Sequence, residues 1–307
     1  MDNSSTETGK AKLKLFLKGM AMGVADSVPG VSGGTIAVLA GIYEELIYSL
    51  KNFNPVTLWG YRRLGLAGFW RSINGNFLLL LLLGIITALF ISANTVLYLL
   101  EYHYPRLMAF FCGLVLASTW YLRQHVPRWQ LTQCLLLLLG GGLTLLIAFV
   151  NPMAAQTSYG YLFVCGAIAI CAMILPGISG AFILLLLGVY DFVLAALRSL
   201  DFAVIFVFAA GCALGLLSFA HLLSWTFRHY RDRTYAFLTG MLLASVVVLW
   251  PWKWVPEEGP LGTQYLSPQG YTLATGAPAT VFSALLLLLI GFALVLFFER
   301  IGRTAAE

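Results

Sequence analysis

Charge is what this 307-residue sequence has least of: 10% of its residues are charged and 60% are hydrophobic. A soluble globular protein carries roughly a quarter charged residues, so an ordinary soluble fold is excluded. The deficit is concentrated, because residues 72–100, 129–190 and 202–227 contain no Asp, Glu, Lys or Arg. A helix needs about 20 mainly apolar residues to cross a bilayer. The sequence therefore predicts a polytopic α-helical membrane protein.

Other absences narrow the class further. Apolar blocks such as Phe77–Leu83 lack the alternating polarity of a transmembrane β-barrel strand. The five cysteines lie inside apolar stretches without metal-type or redox spacing, so no metal site and no cofactor is predicted. The net charge of +5 comes from basic residues between apolar spans, where membrane topology explains them and nucleic acid is not needed.

An internal duplication is the most informative feature that is present. Residues 29–43 read PGVSGGTIAVLAGIY and residues 176–190 read PGISGAFILLLLGVY, with eight of 15 positions identical at an offset of 147. A second block, AFFCGLVLAS at 109–118, recurs as AFLTGMLLAS at 236–245, at an offset of 127. The difference between the offsets corresponds to an insertion in the first half. Matches at constant offsets indicate two homologous halves.

The predicted fold is an all-α polytopic membrane protein with two inverted-topology repeats. Each repeat is a re-entrant helical hairpin, broken at PGxSG, followed by three transmembrane helices; an odd number of crossings inverts the second repeat. A disordered N-terminal tail is predicted at 1–9. The first repeat, 10–150, has its hairpin at 12–50, an insertion at 52–76, and helices at 77–100, 107–122 and 131–150. The second repeat, 158–300, has its hairpin at 161–197 and helices at 203–227, 235–250 and 280–298.

The distribution of basic residues predicts the orientation. With the N-terminus inside, 15 of the 18 Lys and Arg residues fall on the cytoplasmic side, which places both termini in the cytoplasm. Lys18 and Glu44 each lie 11 residues from the first motif, so a motif at the bilayer centre leaves both at one surface. This favours re-entrant hairpins, and full crossing stays open. The Trp and Tyr residues around 250–254 are typical of an aromatic belt.

The two PGxSG motifs are the predicted binding site. Pro and Gly interrupt a helix, and Ser32 and Ser179 then stand where an N-cap belongs. A helix start exposes backbone amides and a positive dipole end, which together favour a phosphate or carboxylate. The alternative is a purely structural cap on a broken helix. The predicted phosphate-binding residues are Pro29, Gly30, Ser32, Gly33, Gly34, Thr35, Pro176, Gly177, Ser179 and Gly180.

A few further polar residues are candidates for supporting roles. Asp26 and His221 are candidate proton carriers at membrane depth, and their alternative roles are capping the motif backbone and bonding between helices. Arg106, Arg233, Glu44 and Asp191 are candidate headgroup contacts near the membrane surfaces, although arginines there also serve as ordinary anchors. No residue is predicted to be catalytic.

These motifs resemble a known family. DSVPGVSGGTIAVLAGIYEELI at 26–47 and LPGISGAFILLLLGVYDFVL at 175–194 resemble the paired signatures of the PopT family of bacterial undecaprenyl phosphate translocases. The resemblance covers essentially the whole chain. It implies a multi-pass protein of the bacterial cytoplasmic membrane that returns undecaprenyl phosphate from the outer to the cytoplasmic leaflet, for reuse in peptidoglycan and other envelope polymers. Coupling to protons or other ions, and the oligomeric state, stay open.

Two functions from other classes remain as alternatives. A membrane polyprenyl-diphosphate phosphatase also pairs inverted repeats with a PG-x-S type motif, but phosphoryl transfer favours an arginine or metal clamp. Neither motif contains Arg, Lys or His. A small-anion channel or transporter could use the same paired helix starts.

Overall fold

The described chain is almost entirely helical. The computed structural model describes residues 3–28, 31–53, 65–150, 157–254 and 263–304. Residues 65–72 are helical, and two short antiparallel strands are β1 (Lys253–Trp254) and β2 (Gln264–Tyr265). The helices are α1 (Asn3–Asp26), α2 (Gly33–Leu39), α3 (Tyr43–Lys51), α4 (Gly75–Tyr102), α5 (Tyr104–Arg123), α6 (Leu131–Phe149), α7 (Tyr159–Ile174), α8 (Gly180–Leu186), α9 (Tyr190–Ser199), α10 (Phe202–His229), α11 (Arg231–Val248), α12 (Pro268–Thr275) and α13 (Val281–Thr304).

Several described helices are long and apolar enough to cross a membrane. Four qualify alone: α5, α6, α10 and the Gly75–Ser92 part of α4. A fifth span results if α8 and α9, which are bent by 107° at the break between them, count as one. The charge-free stretches thus correspond to apolar helices, and the protein is a multi-pass membrane protein.

The N-terminal helix is longer than the sequence suggests. α1 begins at Asn3 and covers most of the segment 1–9, for which a disordered tail was predicted. The first proline of the chain is Pro29, so no proline interrupts the helix before the first motif. The first helix therefore begins nine residues before residue 12, where the predicted hairpin begins.

The chain divides into two compact units, and each combines segments from both halves of the sequence. Unit 1 contains residues 1–93 and 152–231, and unit 2 contains residues 94–151 and 232–307. Unit 1 thus holds both PGxSG motifs, with α10 and most of α4. Unit 2 holds α5, α6, α11 and α13. The two compact units therefore do not coincide with the two halves defined by the sequence repeat.

In unit 1, two pairs of helices cross with equivalent backbone contacts. At each crossing, two glycines face carbonyl groups of the opposite helix so closely that a Cβ atom has no room. Small residues allow this approach, which favours packing between membrane helices. The pairs are Gly19 with Leu81 and Gly84 with Phe16 where α1 crosses α4, and Gly166 with Phe208 and Gly211 with Phe163 where α7 crosses α10. The two crossings use equivalent residues of the repeat: adding 147 to the residue numbers on α1 and 127 to those on α4 gives the residue numbers on α7 and α10.

In unit 2, equivalent crossings join helices from different halves of the sequence. α5 of the first half packs against α13 of the second, and α11 of the second half packs against α6 of the first. Each crossing again pairs glycines with carbonyl groups of the opposite helix. The pairs are Gly113 with Leu288 and Gly291 with Phe110 where α5 crosses α13, and Gly240 with Leu137 and Gly140 with Phe237 where α11 crosses α6. In this unit, each of these helices therefore packs against a helix from the other half of the sequence.

The connection between α11 and α13 is folded and partly buried. It contains β1, β2 and α12, and it packs on α5 and α13 through a cluster of Ala109, Trp252, Tyr271 and Ala284. The indole Nε1 of Trp252 donates a hydrogen bond to the carbonyl of Ala279 at 2.9 Å. The prediction of an aromatic belt is wrong for Trp252, which is 7% exposed, because its ring fills this cluster.

Candidate functional site

The first PGxSG motif starts α2 with its amides paired. Ser32 is the N-cap residue, and its Oγ accepts a hydrogen bond from the Gly34 amide at 3.1 Å. The carboxylate of Asp26, at the end of α1, accepts one from the Gly33 amide at 2.6 Å. Two amides that a helix start leaves unpaired are thus paired within the hairpin. Pro29 and Gly30 of this motif lie outside the described residues.

The other end of α2 is also held by α1. The Lys18 ammonium donates a hydrogen bond to the carbonyl of Ala40, the C-cap residue, at 2.6 Å. A negative charge near the start of a helix and a positive charge near its end both stabilise the helix dipole. The seven-residue α2 therefore carries a charged partner from α1 at each end.

The two motifs contact each other directly. The Ser32 hydroxyl faces two acceptors at the end of α7, the carbonyls of Met173 at 3.1 Å and Leu175 at 3.3 Å. In the opposite direction, the Gly177 amide of the second motif donates to Thr35 Oγ1 at 3.1 Å. The structure thus brings the two motifs together, and the hydroxyls of the first motif serve the contact between them.

The second motif starts α8 without equivalent caps. The side chain of Ser179 makes no capping hydrogen bond, and within the described chain its hydroxyl has no hydrogen-bond partner. The amides of Gly180 and Ala181 likewise have none among the described residues. The position equivalent to Asp26 is Met173, whose thioether sulfur is uncharged and only a weak hydrogen-bond acceptor. Ser179 is 8% exposed, so this uncapped start is buried.

A neutral side chain holds the far end of α8. The Tyr161 hydroxyl donates to the carbonyl of Leu187 at 2.9 Å, and Leu187 is the counterpart of Ala40. The position equivalent to Lys18 is Cys165, so no charge is available there. Sequence reasoning missed these contacts of Lys18 and Tyr161. The sequence contains only a weak indication of them. At the repeat offset of 147, Tyr161 corresponds to Lys14, which lies one helical turn before Lys18 on α1.

Each outgoing helix is short and ends at a glycine turn. α2 and α8 both have seven residues, or about 10 Å of helix, which is less than half of a hydrocarbon core of about 30 Å. The chain then turns at Gly41 and Gly188, whose φ angles of 67° and 68° lie in the left-handed region. After these turns α3 and α9 begin at equivalent residues, Tyr43 and Tyr190.

The remaining predicted side chains have other surroundings. His221 Nδ1 lies 2.7 Å from the carbonyl of Leu217 in its own helix. Glu44 forms an ion pair with Arg231, with 2.8 Å between Glu44 Oε1 and Arg231 Nη2. Arg233 and Asp191 are exposed, and Arg106 belongs to unit 2, where its Nε donates to Ser283 Oγ at 3.0 Å. The contacts described above do not join any of these five side chains to the motifs.

The hydrogen-bond donors at the start of α8 are chemically suited to an oxyanion. Backbone amides and a serine hydroxyl at the start of α8 are hydrogen-bond donors, and a helix start favours negative charge. Across the described part of the chain, no group of three or more His, Cys, Asp or Glu side chains could hold a metal ion.

The chain is similar to known proteins over most of its length. Residues 22–259 match a family described as undecaprenyl phosphate translocase-like. A polyprenyl-phosphate transporter of Vibrio cholerae serotype O1 is 43% identical over 296 residues, which cover 94% of this chain and 96% of the relative. A polyprenyl-phosphate transporter of Staphylococcus aureus is 29% identical over 255 residues, which cover 77% of this chain and 85% of the relative. No solved structure matches the chain.

Proposed function

The chain belongs to the undecaprenyl phosphate translocase-like family, and from this premise we propose that it moves undecaprenyl phosphate from the outer to the cytoplasmic leaflet of the bacterial cytoplasmic membrane. Its relatives are named as polyprenyl-phosphate transporters, so the chain is a lipid-carrier transporter and not an enzyme. The returned carrier would be reused in the synthesis of peptidoglycan and other envelope polymers.

The difference between the two motifs carries this proposal. The start of α2 is paired by Asp26 and Ser32, whereas the start of α8 offers the Ser179 hydroxyl and two amides. The phosphate of the carrier is the part that cannot cross a bilayer unaided, because an unpaired charge in hydrocarbon is costly. We assign phosphate binding to the second motif (Pro176, Gly177, Ser179, Gly180), and the first motif (Pro29, Gly30, Ser32, Gly33, Gly34, Thr35) completes the site.

The proposed transport cycle uses the duplication. The two hairpins enter the membrane from opposite faces as re-entrant elements, with both termini in the cytoplasm. Inverted repeats can exchange conformations, so that one site opens alternately to each leaflet. The short α2 and α8 support re-entrant hairpins, since about 10 Å of helix cannot complete a crossing. The polyprenyl tail stays in lipid throughout.

Side chains away from the motifs have secondary roles in the proposal. Asp26 and His221 are the candidates for proton coupling, and the bond of Asp26 to the Gly33 amide would link its protonation to the start of α2. Arg106, Arg233, Glu44 and Asp191 are the candidates for headgroup contacts near the two surfaces.

Purified protein in liposomes tests the proposal. Labelled undecaprenyl phosphate should exchange between leaflets in the presence of the protein, and Ser179→Ala should slow the exchange about tenfold by removing one donor to a charged group. Ser199→Ala is the matched control, because Ser199 donates only to carbonyls of its own helix turn. Phosphate release from undecaprenyl diphosphate would instead indicate a phosphatase. Ion flux without lipid exchange would indicate a channel, and either result would overturn the proposal.

A further inference from the structure

Unit 2 contains a cavity, lined by both polar and apolar groups, that the paired motifs do not share. Its volume is about 190 Å³, and its walls come from the connection between α4 and α5 and from the α12 region that leads into α13. The lining residues that matter for its chemistry are Glu101, His103, Tyr104, Arg106, Tyr271 and Thr280. We call it the Arg106 cavity.

Arg106 is held in a defined position in this cavity. Its Nε donates a hydrogen bond to Ser283 Oγ at 3.0 Å, and Ser283 Oγ donates to the carbonyl of Thr280 at 3.0 Å. Its Nη1 lies 3.5 Å from His103 Nδ1. Among the residues that the structure describes, no carboxylate lies within ion-pair distance of Arg106. Nε and one N–H of Nη1 are thus engaged by Ser283 and His103, and the remaining N–H groups on Nη1 and Nη2 are available to a ligand.

The wall of the cavity includes a strained residue. Thr280 has a φ angle of 44°, in the left-handed region that a β-branched side chain rarely adopts. Residues in such conformations cluster at functional sites, because the surrounding structure must hold them there. Here the strained residue supplies the carbonyl that accepts from Ser283 and so fixes the serine that holds Arg106.

The surrounding charges favour a singly phosphorylated group. The ammonium of Lys253 lies 5.9 Å from the centre of the ring of Tyr104, a lining residue, and so adds positive charge near the cavity. Glu101 contributes a carboxylate to the lining, and its negative charge disfavours ligands that carry further negative charge, such as a diphosphate. A liquid water molecule occupies about 30 Å³, so the cavity can hold a phosphate group with a few waters.

We propose that the Arg106 cavity is a phosphate-monoester site that receives the headgroup of the polyprenyl phosphate at the membrane surface, separately from the paired motifs. Arginine forms two parallel hydrogen bonds to phosphate oxygens, and the remaining N–H groups on Nη1 and Nη2 of Arg106 can form such a pair. The predicted topology places Arg106 on the outer side, where the carrier is loaded. This inference rests on the proposed function for its choice of ligand.

The test measures binding and transport separately. Binding of inorganic phosphate and of citronellyl phosphate to the full-length protein in detergent is followed by ³¹P line broadening. Arg106→Gln should weaken binding of both probes about tenfold or more, since it removes charged hydrogen bonds to phosphate. Arg106→Lys should bind both probes with intermediate affinity, because it keeps the charge and loses the paired N–H donors of the guanidinium. Arg198→Gln is the matched control: Arg198 is exposed and is predicted on the same side.

The outcomes separate this inference from the proposed function. Unchanged binding in Arg106→Gln, with a gel-filtration profile and melting temperature like those of the wild type, would overturn the cavity as a phosphate site. Loss of inorganic phosphate binding alone would overturn the lipid headgroup as its ligand. In liposomes, Arg106→Gln should raise the lipid concentration at half-maximal exchange and leave the maximal rate nearly unchanged. If wild-type protein moves no lipid but binds both probes through Arg106, the proposed function fails and the cavity stands.

Discussion

The outgoing helices of the two hairpins, α2 and α8, begin and end at equivalent residues but are held in different ways. α2 and α8 begin at Gly33 and Gly180 and end at Leu39 and Leu186, each pair separated by 147 residues. Around α2, a carboxylate and an ammonium from α1 occupy the two ends. Around α8, a tyrosine hydroxyl holds one end, and at the other end the serine hydroxyl and two amides have no partner among the described residues.

This difference shows how two copies of a duplicated element can differ in the hydrogen-bond donors that they leave available. A helix start paired by a fixed carboxylate cannot also bind a phosphate, because the amides are used and the charges repel. An uncapped start keeps both its donors and its positive dipole end for a ligand. The proposed function therefore assigns support to the first hairpin and phosphate binding to the second.

The most severe test makes the second hairpin like the first. Met173→Asp places a carboxylate at the position equivalent to Asp26, where it can accept the Gly180 amide and repel a phosphate. We expect leaflet exchange to fall about 100-fold, since like charges a few Å apart in a poorly solvated site interact by several kcal/mol. Met173→Asn is the control of similar shape without the charge. Equal exchange by the Asp and Asn variants would remove the second motif as the phosphate site.

A smaller effect distinguishes the two serines by stability. Ser32→Ala removes the N-cap acceptor of α2 and the donor to the end of α7, so it should lower the free energy of unfolding by about 1–2 kcal/mol. Ser179→Ala removes no protein contact that the structure describes, and it should leave the stability nearly unchanged. Thermal unfolding in detergent gives both values. Equal losses in the two variants would show that the hairpins are held alike.

The smallest effect concerns the far ends of α2 and α8. Lys18→Met should cost about 1 kcal/mol, because the lost hydrogen bond is charged but only half-buried, and Tyr161→Phe about half of that. Lys14→Met is the control for Lys18, since Lys14 is exposed one turn earlier on α1. Chemical unfolding of the three variants should rank them in this order. A larger loss for Tyr161→Phe would reverse the comparison between the hairpins.

The membrane class and the helix starts at the two motifs could be predicted because local physics determines them. A charge-free stretch such as 202–227 has few alternatives to an apolar helix, and α10 lies there. A proline followed by a glycine, as at both motifs, disfavours the continuation of a helix. The serine at each motif stands at the N-cap for the same local reason.

Contacts between distant segments could not be predicted. The Thr35–Gly177 hydrogen bond joins residues 142 positions apart, and no pattern within either motif specifies it. Lys18 was recognised as a surface charge, but its carbonyl partner depends on where the chain turns after α2. Trp252 was assigned to the membrane surface because composition cannot distinguish an interfacial indole from one that the 250–280 segment buries.

The exchange of partners in unit 2 has a consequence for how this architecture could arise. Gly113 of α5 faces the carbonyl of Leu288 on α13, and Gly240 of α11 faces that of Leu137 on α6. A chain with only one half would have α5 or α11 without the helix that fits its glycine. Two such chains could satisfy each other by forming a symmetric homodimer. A half-length chain would therefore need a second copy of itself to bury these glycine faces.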